Sequence, residues 1–504
     1  MTDQDRPRVI QMNDDSNLYY SYCHTERPTG ADLEDMVDIF ARQNIDTLTQ
    51  CVHCRWQAFY DSRVVEIAGD LTPEAVKPWE HVHYWQWLTC LQRLIAEGND
   101  PPKVLAEACH RRKMRFLPSF RLNDQHGMHP HEGQYGSFRR DHPEWIAAGK
   151  AMDYGVPEVR EHILSVAAEL AERYDIDGID LDFVRWPIFF KDDQVKSNTP
   201  LMTELVRQIR SILDKAGAKR NRRMLLSARV PLNVGTGRTI NTNATDRDLE
   251  CLGIGLDVPA WIRDQLIDVV MPMHFFYTTW DTMIANLDEW RGLTDGTPCG
   301  LYPTIHSMAW NDYGPPYISA QSYRGAAHSY YQSGADGIAL YNLWSGNKVG
   351  WGAVRDMGSP IALGSKPRRY HCHLDELEVV SQGAQAEFEL HLPEDPSAPQ
   401  LSASLNFTAV NLTLEHVLEV DLNGKPVDMN TARKSRRLPE GNHPGSGNPH
   451  LPYFHRVEIP LAGTAAIAGR NVLSVKLVKI NDQIPSKDTI EVGRIEVLVE
   501  PTTS

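Results

Sequence analysis

The feature that most constrains the fold is a repeated alternation of strand-like and helix-like segments. Short apolar runs alternate with amphipathic helical segments about eight times in the first 350 residues or so. The predicted strands begin at Val9, Ile45, Met114, Ile176, Met224, Ile267, Gly300 and Gly337. Eight strand–helix repeats predict an α/β chain with a (β/α)8 TIM barrel. A doubly wound open sheet is the alternative, but no glycine-rich phosphate-binding turn follows an early predicted strand.

After Pro360 the helical periodicity gives way to runs that alternate apolar and polar residues. Four such runs cover residues 387–392, 417–422, 472–477 and 495–499. A period of two is typical of strands with one buried face, so these runs predict an antiparallel, jelly-roll-like β-sandwich. The 504-residue chain is therefore expected to form two domains, a catalytic barrel over residues 1–362 and a sandwich over residues 363–504.

The charge balance limits the classes of partner. The chain has 51 Lys and Arg against 66 Asp and Glu, a net charge of -15, which argues against duplex nucleic acid or an anionic membrane surface as the main partner. No apolar run approaches the roughly 18 to 20 residues that span a bilayer. Residues 1–8 lack the apolar segment of a secretory signal, so we expect a cytoplasmic protein, or a periplasmic or secreted one if a signal has been removed.

The cysteines and histidines do not indicate a metal site or a cofactor. Of eight cysteines only Cys51 and Cys54 form a close pair, and this pair sits in a strand-like run, which favours reduced, buried thiols over zinc binding. No predicted helix carries two histidines at ligating spacing, and His129 and His131 lie in a predicted loop. We therefore predict no metal and no cofactor, and the sequence leaves the oligomeric state open.

The fourth predicted strand carries the strongest chemical signal. Within the segment 177–187 (DGIDLDFVRWP), a period of two places Asp180 and Asp182 on one face of the strand. Burying two carboxylates needs a compensating reason, and an active site is one. Asp182 lies nearer the carboxyl end of the strand and is our candidate for the main catalytic carboxylate. Asp180 is expected to hydrogen-bond to Asp182 or to a neighbouring arginine and so to tune the pKa of Asp182.

Residues at the carboxyl ends of barrel strands form the active site in enzymes with this fold. Four arginines occupy or follow these positions: Arg55, Arg121, Arg185 and Arg229. Such an arginine is commonly the ion-pair partner of a catalytic aspartate. Four of them around one rim also suit bidentate binding of a carboxylate or sulfate group.

Polar and aromatic residues are concentrated at the same predicted strand ends. The candidates for substrate binding are Trp56, Asn123, His274, Tyr277, His306, Trp310, Asn342 and Trp344. Aromatic faces stack on the C–H surfaces of sugars, and amide and imidazole groups bind hydroxyls, so this mixture favours a hydroxyl-rich ligand. Packing in the core is the alternative role for the aromatic residues between positions 56 and 87.

The strand-four segment 177–187 resembles the signature of the glycosyl-hydrolase-like family 10 group, barrel proteins that include bacterial enzymes cleaving peptidoglycan glycan strands. The segments 255–261 and 266–273 are similar to that group as well. The resemblance covers roughly residues 9 to 350 and implies glycoside hydrolysis with an acid of strand four near the scissile bond. The turns at 423–426 and 469–471 resemble galactose-binding-like modules, although a purely stabilising sandwich is equally consistent with them.

The strand-four segment is also similar to the chitinase motif, in which two aspartates and a terminal glutamate line one face. Val184 stands where that family has its glutamate, so a proton donor must come from another strand. A two-carboxylate mechanism needs a second acid, and the candidates are Asp124, Asp281 and Asp312. No glutamate falls at a predicted barrel strand end, which favours inversion with a water between widely separated acids.

These observations predict a glycoside hydrolase that cleaves an anionic oligo- or polysaccharide, either sulfated or uronate-containing. Carbohydrate is then the expected partner. One alternative is a non-catalytic carbohydrate-binding or scaffolding barrel, which Val184 and the missing glutamate favour. A polysaccharide lyase is another alternative, with Tyr277 and His274 as its base pairing.

Overall fold

The computed structural model describes residues 6–14, 28–69, 82–125, 136–235, 249–273, 280–306, 319–343, 348–413, 415–437, 454–480 and 489–502. The chain packs as two compact units. The first unit contains Met1–Phe275, Asn286–Ser307 and Gly334–Gly358, and the second contains Phe276–Ala285, Met308–Ser333 and Ser359–Ser504. The domain limits expected from sequence, 1–362 and 363–504, stay a prediction.

Eight parallel strands of the first unit form the barrel. They are β1 (Val9–Asn13), β2 (Thr47–Cys54), β3 (Arg115–Arg121), β4 (Gly178–Asp182), β5 (Leu225–Pro231), β6 (Val269–Met273), β7 (Gly300–Leu301 and Thr304–His306) and β8 (Ile338–Tyr341). Every neighbouring pair runs parallel, including β1 with β8. The predicted (β/α)8 fold is confirmed.

The barrel closes through an interruption in β7. Its first segment pairs with β6, where Gly300 lies opposite Val269, and its second segment pairs with β8, where Thr304 lies opposite Ala339. The interruption contains Pro303, which has no N–H to donate to a strand partner. Because β7 bridges β6 and β8, the sheet is a closed barrel rather than the open sheet considered as an alternative.

Helices follow the strands as the periodicity predicts. They are α1 (Gly30–Arg42), α2 (Val82–Ala96), α3 (Pro101–Arg111), α4 (Ser137–Arg140), α5 (Pro157–Arg173), α6 (Val195–Arg220), α7 (Val258–Arg263), α8 (Trp280–Thr294), α9 (Ala320–Gln332), α10 (Lys348–Val354) and α11 (Pro360–Gly364). Proline opens α3 and α5, where the missing N–H would have no helical partner. Helix α6 begins at Val195 and contains Pro200 in its first turns.

A buried histidine pair joins the barrel wall to a helix. His53 of β2 and His162 of α5 approach Nε2 to Nε2 at 3.0 Å, and both side chains are buried. Burial lowers the pKa of His53 well below its usual value and lowers the pKa of His162 to about 4. Both imidazoles are therefore neutral in the folded protein at neutral pH.

Acid should destabilise the first unit through this pair. In the unfolded chain each histidine takes up a proton below about pH 6.5, whereas folded His162 resists protonation down to about pH 4. Stability should thus fall by roughly 1.4 kcal/mol per pH unit per histidine across that window. Urea denaturation at pH 7 and pH 5 should show a smaller pH effect for His162→Leu than for wild type. Equal pH effects in the two proteins would contradict the burial of a neutral imidazole at His162.

The second unit contains two antiparallel sheets. Its strands are β9 (Arg368–Ser381), β10 (Gln385–Leu392), β11 (Leu401–Val410), β12 (Val417–Leu422), β13 (Lys425–Pro426), β14 (Arg433–Arg437), β15 (Phe454–Pro460), β16 (Gly469–Lys479) and β17 (Thr489–Pro501). One sheet has the order β9-β17-β11-β15-β14 and the other β10-β16-β12-β13. Inward-facing side chains such as Phe388, Phe407 and Val475 form an apolar core. The predicted antiparallel sandwich is confirmed.

Helix α9 packs on β9 within the second unit. Ser322 Oγ lies 2.6 Å from His371 Nε2, and His328 Nδ1 lies 2.9 Å from the Tyr370 hydroxyl. Gly325 allows the close approach of the two backbones, because a Cβ at this position would lie 2.0 Å from the Arg369 carbonyl oxygen.

Two glycine-to-alanine substitutions in helices should therefore have opposite effects on stability. Gly325→Ala forces the helix away from β9 and should cost about 1–3 kcal/mol. Gly292→Ala in α8, where nothing lies within 4 Å of the added Cβ, should stabilise by roughly 0.5–1 kcal/mol. Scanning calorimetry of both variants checks the pair, and an equal or higher melting temperature for Gly325→Ala would contradict the packing described.

Candidate active site

Polar side chains from three adjacent strands point into the barrel, where they form two levels. The lower level contains Ser119 of β3, Asp180 of β4 and Ser227 of β5, and the upper level contains Arg121, Asp182 and Arg229 of the same strands. The members of each level are opposite one another in the strand register. Since side chains two residues apart face the same way, a Ser-x-Arg strand lies on each side of the Asp-x-Asp strand.

Asp180 is fixed by the two serines. Ser119 Oγ donates to Asp180 Oδ2 and Ser227 Oγ donates to Oδ1, both at 2.6 Å, and Asp180 is fully buried. Burial raises the pKa of Asp180, while the serine hydrogen bonds and the charge of Arg229 oppose the rise. The hydrogen bond predicted from Asp180 to Asp182 or to an arginine is not made; neighbouring strands place serines, not arginines, at the level of Asp180.

Asp182 is surrounded by hydrogen-bond donors. Arg229 Nε donates to Asp182 Oδ1 at 3.0 Å and its Nη2 pairs with Oδ2, so the two groups form a bidentate ion pair. The backbone N–H groups of Val184 and Arg185 also donate to Oδ1, at 3.0 and 3.2 Å. Four donors stabilise the carboxylate anion, which suits a nucleophile or a base better than an acid.

Arg121 joins three carboxylates. Its Nη2 pairs with Asp14, its Nη1 pairs with Asp124, and its Nε lies 3.7 Å from Asp182 Oδ2. Asp124 also accepts a hydrogen bond from the Cys54 thiol at 3.3 Å. The side chains of Arg121 and Arg229 are each 2% exposed, so these ion pairs are largely shielded from water.

Asp14 is a site residue that the sequence analysis missed. It follows β1 directly and contacts Asn342 Nδ2 at 3.1 Å and the Tyr341 hydroxyl at 3.4 Å. Its side chain is 12% exposed, compared with 0% for Asp124 and 4% for Asp182. Asp14 is the first residue past β1. The expectation that residues at the carboxyl ends of strands form the site therefore applies to it as well.

Tyr341 connects the two arginine pairs at the end of β8. Its ring centroid lies 4.1 Å from Arg229 Cζ, a cation–π contact, and its hydroxyl contacts Asp14. Burial and the nearby Asp14 carboxylate raise the pKa of Tyr341, and the guanidinium groups of Arg121, Arg229 and Arg185 partly oppose this. Tyr341 is thus a neutral hydrogen-bond donor at neutral pH.

Several residues predicted to bind substrate have contacts within the protein. Asn123 is buried, and its Nδ2 donates to the backbone oxygens of Met152 and Ile188, so it fixes the loop after β4. Asn342 binds the backbone N–H and the carboxylate of Asp14. The buried ring of His306 lies 5.2 Å from that of Tyr341.

The tryptophan and arginine that follow β2 are also buried. Trp56 is 2% exposed, and its ring packs near His53, Phe138 and His162, so substrate stacking on it would require this cluster to open. Arg55 Cζ lies 5.6 Å from the ring centroid of Phe59. The remaining predicted site residues, His274, Tyr277, Trp310, Asp312 and Trp344, lie outside the described residues.

Four residues next to these side chains have a left-handed backbone conformation. Arg55, Trp56, Trp186 and Asn342, which follow the ends of β2, β4 and β8, have φ between 51° and 64°. A side-chain-bearing residue in this left-handed region costs on the order of 1–3 kcal/mol and persists only where its surroundings fix it. Such clustering is typical of functional sites.

The described residues contain neither a cluster of metal ligands nor a membrane-spanning helix. Among them, no three His, Cys, Asp or Glu side chains come together in a way that could hold a metal ion. No helix there has the length and apolarity to cross a bilayer.

The fold and these side chains define a (β/α)8-barrel protein with a carboxylate-rich site at the carboxyl ends of its strands. Residues 12–187 match the family model described as Glycosyl hydrolase-like 10, which confirms the resemblance predicted from the strand-four segment. The chain is 25% identical over 291 residues to the protein named Glycosyl hydrolase YngK of Bacillus subtilis (strain 168). That match covers 50% of this chain and 53% of the relative, so the chain spans about half the length of the curated relative.

Two solved structures are similar in outline. The glycoside hydrolase domain of PgaB (BpsB) from Bordetella bronchiseptica is 12% identical, with a TM-score of 0.43, over 70% of this chain and 99% of that one. A chitinase from Chromobacterium violaceum is 13% identical, with a TM-score of 0.40, over 70% and 99% of the two chains. Likeness at this level assigns no activity.

The effects of substituting Arg229 and Asp182 on the free energy of unfolding should be strongly coupled. Arg229→Met alone leaves a buried carboxylate without its main partner and should cost about 3–5 kcal/mol. In an Asp182→Asn background the same substitution should cost at least about 2 kcal/mol less, because no charge remains uncompensated. Urea denaturation of the four proteins in this cycle at pH 7 measures the coupling, and simple additivity would contradict a paired role.

Proposed function

We propose that the protein hydrolyses O-glycosidic bonds of an oligo- or polysaccharide, with Asp182 as its principal catalytic carboxylate. The observation that carries the proposal is the position of Asp182 at the carboxyl end of β4, held as an anion by Arg229 and two backbone N–H groups. The match to Glycosyl hydrolase-like 10 and the name of the relative support this class of reaction.

A second carboxylate is needed as proton donor, and Asp14 fits this role best among the described residues. Asp14 and Asp124 both pair with the guanidinium of Arg121, so the two carboxylates lie close together. Two carboxylates held next to each other repel, which favours protonation of one of them. Asp14 is the more exposed of the two and can reach a leaving-group oxygen, whereas Asp124 is enclosed by Arg121 and Cys54. Asp312, a candidate from the sequence, lies outside the described residues.

In the proposed reaction Asp182 acts as nucleophile or as base towards water, and Asp14 protonates the departing oxygen. Tyr341 and Asn342 orient Asp14 through their contacts with its carboxylate. Both carboxylate oxygens of Asp180 accept hydrogen bonds from serines, so Asp180 does not contact the sugar in this proposal. Because it lies one level below Asp182, we assign it a positioning role. Inversion of the anomeric centre, with Asp182 as the base, stays our expected outcome, whereas Asp182 as the nucleophile would give retention.

Fewer arginines support an anionic substrate in the structure than the sequence predicted. Arg121 and Arg229 are ion-paired with aspartates, and Arg55 is buried. Arg185 is half-buried, follows β4, and acts electrostatically on Tyr341 at the barrel mouth. We retain a sulfated or uronate-containing substrate as part of the proposal, with Arg185 as the residue that supports it.

A non-catalytic carbohydrate-binding barrel is the second candidate. The bidentate pair of Asp182 with Arg229 favours it, because a carboxylate engaged by four donors is a weaker nucleophile or base than a less engaged one. This candidate predicts sugar binding without release of reducing ends. For the lyase alternative, the predicted pairing of Tyr277 with His274 lies outside the described residues.

Asp182→Asn should lower turnover by about 10²–10⁴-fold without unfolding the protein, because the amide keeps the shape but cannot act as base or nucleophile. The measurement is release of reducing ends from a panel of neutral, sulfated and uronate-containing oligosaccharides. Asp177→Asn provides a matched control, since Asp177 precedes β4 at the opposite end and contacts His110 and Arg222. Full activity in Asp182→Asn would refute the mechanism, and binding without cleavage by wild type would support the second candidate.

A further inference from the structure

A cavity of about 600 Å³ lies among the helices around the barrel in the first unit. Its walls come from the loop after β2, the end of α2, the beginning of α3 and the segment that leads from α5 into β4. The described residues that line it include none of the aspartates of the candidate active site, and Asp175 precedes β4 at the end opposite Asp182. A volume of this size is typical of pockets that bind small molecules.

The loop that forms one wall of this cavity is held in place by protein contacts alone. The buried Glu169 accepts hydrogen bonds from Ser62 Oγ and from the backbone N–H of Arg63, both at 2.7 Å. Arg173 donates to Glu169 Oε1 at 2.7 Å and to the backbone oxygen of Asp61 at 2.6 Å. The positions of Asp61 and Arg63 on the wall are therefore set before any ligand binds.

The aspartates on the walls already have donors within the protein. Asp61 pairs with Arg173 at 3.2 Å, and Asp175 pairs with Arg222 at 2.6 Å. Asp100 accepts from the backbone N–H of Asp61 at 3.0 Å. The charges of Asp61 and Asp175 are thus offset, although 47% and 65% of their side chains stay exposed. Such carboxylates suit hydrogen bonds from hydroxyl groups better than the binding of a further cation.

Two cations that line the same cavity have no such partner. Arg63 and Lys103 are exposed, and the side chain of neither forms a hydrogen bond or an ion pair within the described part of the chain. The exposed Glu107 lies one helical turn after Lys103 on α3 without pairing with it. An anionic group can therefore engage Arg63 and Lys103 without displacing a carboxylate of the protein.

We propose that this cavity binds a small hydroxylated anion, such as a sugar phosphate or a sugar carboxylate. Arg63 and Lys103 bind the anionic group through charge-assisted hydrogen bonds. The carboxylates of Asp61 and Asp175 accept hydrogen bonds from the hydroxyl groups, and Ile95 offers apolar surface to the C–H groups. Because the cavity is separate from the candidate active site, this binding does not depend on the proposed hydrolysis.

The test is an NMR titration of the full chain labelled at the δ1 methyl groups of isoleucine. D-glucose 6-phosphate and D-glucuronate are titrated beside neutral D-glucose and inorganic phosphate, so the two sugar anions show which anionic group the cavity takes. At least one sugar anion should shift the methyl signal of Ile95 and bind about 5-fold or more tightly than both D-glucose and inorganic phosphate. The exposed Ile467 of the second unit is the control signal and should not shift.

Substitutions at exposed positions test the two cations without disturbing the fold. Arg63→Gln and Lys103→Gln should each weaken binding of the sugar anion by about 3- to 10-fold and leave the affinity for D-glucose unchanged. Lys196→Gln, at an exposed lysine in the first turn of α6, is the matched control and should change neither affinity. All three variants should keep the melting temperature of wild type, because these side chains have no partner within the described chain.

Three results would overturn the proposal. The first is that neither sugar anion shifts the Ile95 signal or binds more tightly than D-glucose. The second is that inorganic phosphate binds as tightly as the sugar anions, since recognition of hydroxyl groups would then be missing. The third is unchanged affinity in both Arg63→Gln and Lys103→Gln. Asp182→Asn should bind the sugar anion in this cavity as wild type does, so its effect on hydrolysis bears only on the proposed function.

Discussion

The ion pair between Asp182 and Arg229 is the interaction on which the barrel interior depends. Two carboxylates on one strand cannot be buried in a barrel unless the neighbouring strands supply partners at the same levels. Here β3 and β5 both carry Ser-x-Arg in register with the Asp-x-Asp of β4. The serines bind Asp180 and the arginines lie beside Asp182. One period-two pattern, present on three strands, therefore supplies partners for both buried carboxylates.

The same arrangement determines the electrostatics of the mouth. Arg229 pairs with Asp182, and Arg121 pairs with both Asp14 and Asp124. Two neighbouring carboxylates favour protonation of one of them, whereas the four donors around Asp182 favour its anionic form. Tyr341 lies between the two halves, with its ring on Arg229 and its hydroxyl beside Asp14. The same few side chains thus stabilise the barrel interior and carry the roles proposed for them in hydrolysis.

Sequence reasoning predicted the features that depend on local periodicity. The eight strands, most helices and the shared face of Asp180 and Asp182 follow from periods of 2 and 3.6. It did not predict the hydrogen-bond partners of the two aspartates, because strand register decides whether a serine or an arginine lies beside each of them. Asp14 was missed in a polar loop, and Trp56 was assigned to stacking although its ring is enclosed. In the sandwich, β11 was missed because Ala403 and Ala409 weaken its apolar alternation.

The place of α9 has a consequence for how the chain can be divided. In sequence this helix lies between barrel strands β7 and β8, yet it packs in the second unit, with Ser322 and His328 bonded to β9. A truncation after residue 362 would keep α9 and remove the strand it packs on, so its buried histidine and serine side chains would lose their partners. The sandwich should therefore not be removed without α9. Gene fusions and domain exchanges should transfer the helix and the sandwich together.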